Sequence, residues 1–205
     1  MRSMSRELKL FIGASLAMGV AYSVIDATFN NFINERFAIG GLERSFLEFP
    51  REIPGILVVV VSALLWFLCS RRLGAVAMLL GAAGSLLIGF AAPTYAFMLL
   101  WLFIYSLGQH VFIPLSSSIG MDLASDGKTG RRLGQLNAIR NLAAILGSFI
   151  VFAGFKYLGF NFHHTFILSS LAFAAAAVLM FAMKPEKTQP DRKSTRLNSS
   201  HGYQS

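Results

Sequence analysis

Six long apolar stretches, separated by short polar connections, constrain this chain more than any other feature of its sequence. A helix that crosses the hydrocarbon core of a bilayer needs about 20 mostly apolar residues, and each stretch reaches or nearly reaches that length. None alternates apolar and polar residues as a half-buried strand would. The pattern predicts an all-α integral membrane protein with six transmembrane helices. The predicted spans are Leu10–Ile33, Phe46–Leu68, Gly74–Ala92, Tyr95–Ile119, Leu136–Phe155 and Thr165–Met183.

The second stretch is the least regular of the six. Pro50, Arg51, Glu52 and Pro54 lie in its first turns, so its apolar core begins near Ile53. Proline inside a helix removes a hydrogen bond and favours a kink. We therefore expect the outer end of this helix to be kinked or to lie at the membrane surface.

The composition excludes a soluble domain of this size. Hydrophobic residues make up 55% of the 205 residues and charged residues only 14%, too few to cover a globular surface. The net charge is +8, but the basic residues occur in short clusters between apolar stretches rather than in a continuous basic stripe. The partner that this pattern predicts is a lipid bilayer and not a nucleic acid.

Basic residues in the connections predict the orientation, because Lys and Arg accumulate on the cytoplasmic side of short loops. Ten of them fall on one side and four on the other, which places both ends of the chain in the cytoplasm and suggests the inner (plasma) membrane. The ten are Arg2, Arg6, Lys9, Arg71, Arg72, Lys128, Arg131, Arg132, Lys184 and Lys187, and the four are Arg36, Arg44, Arg51 and Lys156.

The last fifteen residues differ in origin from the rest. DRKSTRLNSSH, from Asp191 to His201, is the word-for-word translation of a common sequencing adapter, so we exclude residues 191–205 from the fold. The expected organisation is a six-helix transmembrane half-domain over residues 1–190 followed by an artefactual, disordered tail. The natural protein is then expected to continue beyond about Pro190.

The lengths of the connections have a rhythm. Long polar connections follow the first and fourth helices, whereas the others are short, as two three-helix units would give. Since three is odd, the second unit is expected to be inverted relative to the first. RRLG occurs at Arg71–Gly74 and at Arg131–Gly134, but the copies open the third and fifth helices, which are not equivalent in such a repeat. We interpret them as independent cytoplasmic anchors.

Two segments carry a resemblance to a known family. The stretch from Asp126 to Ser148 is similar to the cytoplasmic link and start of helix five in the major facilitator superfamily. The stretch from Leu68 to Gly84 stands in the place of the helix two to three signature of that family, with Arg72 and Gly74 at its basic and glycine positions. The aspartate of the signature falls on Arg71.

The chain thus resembles the amino-terminal six-helix half of a major facilitator superfamily transporter, over about Ser5 to Lys187. The resemblance implies secondary active transport of a small solute by alternating access, with substrate held between two halves. It implies that the carboxyl-terminal six-helix half is missing, and it implies no cofactor. The alternative is a non-transporting six-helix scaffold or assembly subunit.

An acidic residue inside the first helix is the leading site candidate, because a carboxylate within a membrane is costly and is usually functional. Tyr22, Asp26 and Asn30 are spaced i, i+4, i+8 and share one face with Ser15 and Gly19. Such a stripe could line a water-filled cavity and bind a substrate or a coupling proton. The other interpretation puts Asp26 near the outer interface, where it is simply solvated.

The fourth helix supplies a second polar stripe, which the resemblance places across the cavity from the first. His110 could relay a proton with Asp26, or it could hydrogen-bond a neighbouring helix. The stripe consists of Tyr105, Gln109, Phe112 and Ser116.

Helix five opens with Asn137, Arg140 and Asn141 on one face. We expect Arg140 about one turn from the cytoplasmic end, where it could bind an anionic substrate, or snorkel or pair with Asp122 or Asp126 as a gate. A structural or gating role is the interpretation favoured for Arg140, and the resemblance extends gating to Arg72 and Gly74. Gly147, further along, is expected to permit close packing.

Enzyme chemistry has no support in the sequence. Walker-type GxxxxGK[ST] and HExxH patterns are absent, and Ser116–Ser118 lack the context of an intramembrane serine protease. We therefore expect neither an enzyme nor a metal site.

Overall fold

The computed structural model describes residues 4–64, 68–125 and 127–185, and these form six α-helices. The predicted adapter-derived tail, Asp126, Arg2 and Lys187 lie outside the described residues. The helices are α1 (Arg6–Phe37), α2 (Gly41–Leu64), α3 (Ser70–Phe90), α4 (Tyr95–Asp122), α5 (Thr129–Tyr157) and α6 (Phe162–Ala182).

Local sequence signals fix several helix ends. The Ser5 side chain accepts a hydrogen bond from the Leu8 amide at the start of α1, at 3.3 Å. At the start of α6, Asn161 and His164 form a reciprocal capping box, with both hydrogen bonds at 3.2 Å. Such caps satisfy amide groups that a helix leaves unpaired in its first turn.

The helices alternate in direction through the bundle. At one end, Arg71 at the start of α3 contacts Glu7 at the start of α1, Asp122 at the end of α4 and the Lys184 carbonyl after α6. We call this the basic end, and the start of α5 lies there too, because Lys128 and Met4 line one groove. At the opposite end, the Tyr95 hydroxyl donates to the Glu43 carbonyl, which joins the starts of α4 and α2.

Each helix packs against a small set of neighbours. α3 packs against α4 and α6, and α1 packs against α5 and α6, whereas α2 packs mainly against α4. Edge-to-face rings strengthen the centre, where Phe173 of α6 lies 4.9 Å from Tyr22 of α1 and 5.9 Å from Tyr105 of α4, centroid to centroid. These contacts hold α1 and α4 on the same side of α6.

Glycines set the closest approaches between helices. A Cβ atom on Gly108 of α4 would lie 2.5 Å from the Ala77 carbonyl oxygen of α3, and one on Gly84 of α3 would lie 2.6 Å from the Tyr105 amide nitrogen. A Cβ on Gly147 of α5 would lie 2.0 Å from the Ser23 hydroxyl of α1, which confirms its predicted role in close packing.

Five of the six described helices are long and apolar enough to cross a membrane, namely α1, α3, α4, α5 and α6. The exception is α2, whose first half carries five charged residues. It continues as a helix through both Pro50 and Pro54. The chain is therefore a multi-pass membrane protein. The sixth predicted crossing corresponds to α2 and stays a prediction.

Candidate functional site

A cavity of about 300 Å³ lies between α1, α4 and α5, and we call it the central cavity. Its wall is mixed, with apolar side chains such as Phe112 beside amides and charged groups. A few convergent polar groups in an otherwise apolar cavity are typical of a small-molecule site. The polar side chains with hydrogen-bonding heads on the wall are Tyr22, Ser23, Asp26, Gln109, Asn137, Arg140 and Asn141.

A second cavity of about 310 Å³ continues from the first toward the basic end. Asn137 and Arg140 line both cavities, and Ser15, Ser116 and Ser117 line the second. The same three helices border both spaces, so the two cavities follow one seam through the bundle.

Asp26 lies on the wall of the central cavity, in the part toward the opposite end. It is eleven residues from the end of α1, or about 16 Å at helical rise, and its side chain is exposed. Within the described residues, no basic nitrogen lies within 4.0 Å of its carboxylate. The carboxylate is therefore accessible from the cavity and is not engaged in a structural ion pair there.

Tyr22 and Gln109 share the cavity with Asp26, whereas Tyr105 lies behind the wall. The Tyr105 ring is 6.1 Å from that of Tyr22, edge to face, and only 5% of the residue is exposed. Its hydroxyl is buried without a hydrogen-bond partner in the described part of the chain. Tyr105 thus supports Tyr22 rather than lining the cavity.

Two predicted site residues are not brought to the cavity. His110 faces α2, where its Nε2 atom lies 3.9 Å from the Glu52 carboxylate and its ring packs on Gly55. Asn30 is exposed one turn beyond Asp26 and does not line the wall. The geometry thus does not join His110 to Asp26 in a proton relay.

Arg140 lies further from the start of its helix than the apolar stretch indicated. The helix begins at Thr129, seven residues before the apolar stretch, so Arg140 is about 16 Å along α5 rather than one turn from its end. Its Nη1 atom donates to the Ser116 hydroxyl at 3.4 Å. The Asp122 carboxylate, a predicted gate partner, instead accepts from Arg71, and Asp126 lies outside the described residues.

Asn137 and Asn141 join Arg140 on the cavity wall, although neither was a predicted site residue. They are spaced i−3 and i+1 from Arg140, and Asn141 is i+4 from Asn137. Two amides and one guanidinium therefore point into the same space from a single helix face. The shared helix face of these three residues is the sequence feature that predicts their place on one cavity wall.

Comparison with known proteins is decisive for the family. The protein-family model described as Major Facilitator Superfamily matches residues 52–201 of this chain. The chain belongs to the major facilitator superfamily. Members of this superfamily are membrane transporters rather than enzymes. A search of curated proteins found no match.

The superfamily match begins within α2, so Tyr22 and Asp26 of α1 lie outside it. It runs to residue 201 and includes part of the tail that we attributed to an adapter, an attribution that stays a prediction. The superfamily membership therefore rests on α2 to α6, and the site residues of α1 rest on the geometry.

The superfamily signature takes an unusual form at the basic end. Arg71, in place of the aspartate, is 7% exposed and donates to Asp122 at 2.5 Å, to Glu7 at 3.4 Å and to the Lys184 carbonyl at 2.8 Å. Glu7 also accepts from the Lys184 amide at 3.0 Å. Arg71 thus joins the basic ends of α1, α3 and α4 and the chain after α6.

Arg72 and Gly74, the predicted gating residues, have structural contacts of their own. Arg72 donates to the Phe181 carbonyl at 2.5 Å, and its guanidinium lies 5.6 Å from the Phe181 ring centroid. A Cβ atom on Gly74 would lie 2.8 Å from the Met180 side chain. Both residues fasten α3 to α6, and their role in gating stays a prediction.

Proposed function

We propose that this chain is the amino-terminal half of a secondary active transporter that moves a small solute by alternating access. The observation that carries the proposal is the central cavity, whose wall combines the carboxylate of Asp26, the guanidinium of Arg140 and several neutral hydrogen-bonding groups. Charged side chains facing a cavity inside membrane helices usually bind substrates or ions.

The helix packing supports two inverted three-helix units. If α1–α3 correspond to α4–α6, the pair of α1 with α5 corresponds to α4 with α2, and α1 with α6 corresponds to α4 with α3. Each of these four pairs packs, and the pair of α3 with α6 corresponds to itself. In this proposal α2 is the sixth membrane crossing, and a second six-helix half closes the open side of the cavity.

The charges support the proposed orientation in the plasma membrane. Eight described basic residues lie at the basic end and four at the opposite end, apart from Arg140 inside the bundle. Positive residues accumulate on the cytoplasmic side, so the basic end faces the cytoplasm and both ends of the six-helix unit are cytoplasmic. The eight are Arg6, Lys9, Arg71, Arg72, Lys128, Arg131, Arg132 and Lys184.

Asp26 and Arg140 have different roles in this proposal. Asp26 is the proton- or cation-coupling group, because its carboxylate is exposed to the cavity and has no basic partner among the described residues. Arg140 binds a negatively charged part of the solute, because its guanidinium has spare donors beside Asn137 and Asn141.

The test is the Asp26→Asn substitution in the intact transporter, reconstituted in proteoliposomes with the solute that the wild type accumulates in a metabolite screen. The amide keeps the size of the side chain but cannot release a proton. We expect Asp26→Asn to abolish uptake driven by an imposed pH gradient while exchange of solute across the membrane continues.

The matched control is Glu35→Gln, which removes a carboxylate from the same helix outside the central cavity. Its uptake is expected to equal that of the wild type. Unchanged pH-driven uptake by Asp26→Asn would refute the coupling role. An intact, folded wild type that moves no solute in the screen would refute transport and favour the scaffold alternative.

A further inference from the structure

A groove of about 560 Å³ opens between α1 and α5 at the basic end. Lys128, Arg131 and Arg132 line its outer part, together with Gln135 and Ser125. No acidic side chain lines it within the described residues. This groove shares only Leu136 with the second cavity and none of its lining with the central cavity, so it is separate from the proposed transport site.

The polarity of the groove changes along its length. Below the three basic residues, its floor is formed by Ile12 of α1 and by Ala138 and Ile139 of α5. Ala138 and Ile139 lie further along α5 toward the membrane interior than the basic residues do. Charge at one end and an apolar floor at the other match the head and the first acyl carbons of a phospholipid.

The groove lies on the side of α1 and α5 that α4 does not border. Helix α4 contributes no residue to it, although α4 forms part of both cavities on the other side of the seam. Gln135 and Ala138 are exposed there. A ligand therefore reaches the groove without entering the seam that the two cavities follow.

Some hydrogen-bond donors of the basic residues in the groove have no partner among the described residues. The Nε atom of Arg132 is buried and has no partner in the described part of the chain, while its Nη1 atom donates to Gln135 at 3.1 Å. Lys128 precedes the first turn of α5 and is exposed, and its ammonium group carries three further donors. These groups offer donors to a phosphate oxygen in addition to positive charge.

We propose that this groove binds an anionic phospholipid, with its phosphodiester among Lys128, Arg131 and Arg132 and an acyl chain along Ile12 and Ile139. Basic pockets at the ends of transmembrane helices recognise anionic headgroups through the same combination of charge and hydrogen bonds. The lipid would hold the start of α5 against the start of α1, beside the entrance to the second cavity.

Native mass spectrometry of the purified intact transporter tests the proposal with dioleoyl-phosphatidylglycerol as the probe. The triple variant Lys128→Gln, Arg131→Gln, Arg132→Gln removes the three charges. Each basic residue near an anionic headgroup is worth about fivefold in affinity, so the first bound lipid should weaken on the order of a hundredfold. The conservative variant Arg131→Lys, Arg132→Lys should retain most of the binding.

The matched control is Arg36→Gln, Arg44→Gln, Lys156→Gln, which loses the same charge at the opposite end. It should bind the probe like the wild type. Equal weakening in both triple variants would overturn the groove, because it would show attraction by net charge alone. If the first triple variant does not fold, Arg131→Gln alone, at an exposed residue, should still weaken binding about fivefold, and no weakening would overturn the proposal.

Two further ligands separate the possible sources of the phosphate. Dioleoyl-phosphatidylcholine, with the same acyl chains and no net charge, should bind at least about tenfold more weakly than phosphatidylglycerol. Inorganic phosphate should not displace the lipid. Equal binding of phosphatidylcholine would overturn the role of charge, and displacement by phosphate at equal concentration would overturn the role of the apolar floor.

Discussion

Arg140 is the residue whose chemistry most restricts the solute. Its guanidinium lies on the wall of both cavities, with Ser116 as its side-chain partner at 3.4 Å. We expect Arg140→Gln in the intact transporter to lower uptake by on the order of 10- to 100-fold, the value of one charge-assisted hydrogen bond. Arg140→Lys should retain part of the activity, since it keeps the charge but not the planar fork of donors.

The measurement is initial uptake of the solute from the metabolite screen, with Lys156→Gln at the far end of α5 as the control. Lys156 packs on the rings of Phe152 and Tyr157 and lines neither cavity. Uptake by Arg140→Gln equal to that of the wild type would show that Arg140 does not bind the solute. Its role would then be structural, through its hydrogen bond to Ser116.

Arg71 shows how a departure from a family pattern can be read only in part from the sequence. The resemblance to the superfamily signature located the departure, but the partners of Arg71 come from α1, α4 and the chain after α6, up to 113 residues away. We expect Arg71→Gln to destabilise the bundle by about 2 kcal/mol, because it leaves the part-buried carboxylate of Glu7 and that of Asp122 without their cation. Half-exposed Asp122 keeps the cost below that of a fully buried pair.

Thermal unfolding in detergent measures the effect of Arg71→Gln, and Arg72→Gln is its neighbouring control. Arg72 is more exposed and has the Phe181 carbonyl as its acceptor, so its loss should cost only about 1 kcal/mol. The pair of substitutions Arg71→Asp and Asp122→Arg should restore part of the stability if the charges matter. Equal melting temperatures for Arg71→Gln and Arg72→Gln would contradict this account.

At the scale of the helices, periodicity predicted the cavity-facing stripes but not where they end. Tyr22, Asp26 and Gln109 lie on the wall as their spacing indicated. Four residues turn a helix by about 400°, so a stripe of every fourth residue drifts by about 40° per step. Asn30, two steps from Tyr22, has therefore left the wall, and His110, one residue after Gln109, is turned about 100° toward α2.

Helix α5 shows why the distance of Arg140 from the start of its helix cannot be taken from the apolar stretch. The apolar stretch begins at Leu136, but the helix begins at Thr129 in a polar segment that hydropathy ignores. Hydrogen bonds between backbone groups extend a helix beyond its apolar part at little cost. The distance of a residue from the end of its helix can be predicted only where the sequence marks that end. The start of α5 has no side-chain capping hydrogen bond that would mark it.

The α3–α4 contact offers a stability prediction at the same scale. A Cβ on Gly108 would lie 2.5 Å from the Ala77 carbonyl oxygen and 2.9 Å from the Gly81 amide nitrogen, and neither backbone atom can rotate away. We expect Gly108→Ala to destabilise the protein by about 1–3 kcal/mol as the two helices are forced apart. Thermal unfolding in detergent measures the change.

The matched control is Gly134→Ala in α5, where a Cβ would meet nothing within 4 Å. Alanine is favoured over glycine inside a helix by about 0.5–1 kcal/mol, so this variant should be slightly more stable than the wild type. The two glycine substitutions should thus have opposite signs. A neutral Gly108→Ala would mean that α3 and α4 are further apart than the structure has them.

For the molecule as a whole, the number of crossings depends on α2. Hydropathy identified the other five spans because they carry few charges, but Glu43, Arg44, Glu48, Arg51 and Glu52 give α2 a polar first half. Its neighbours account for part of this polarity. The Ser106 hydroxyl of α4 donates to the Arg51 carbonyl, and Glu52 approaches His110. Hydropathy is calculated for one stretch of sequence at a time, so it cannot predict such contacts between helices.

Thiol labelling of intact cells decides whether α2 crosses the membrane. Cys69 is the only cysteine in the chain, so Cys69→Ser gives a background in which Gly40→Cys, before α2, or Ser125→Cys, after α4, is the single thiol. We expect a membrane-impermeant maleimide to label Gly40→Cys in intact cells and Ser125→Cys only after permeabilisation. Position 40 is then outside the cell and position 125 is in the cytoplasm. Returning a cysteine to position 69 places the third probe beyond α2, and it should behave like Ser125→Cys. If the cysteines at 40 and 69 are labelled from the same side, α2 does not cross, and the two three-helix units cannot be inverted copies of each other.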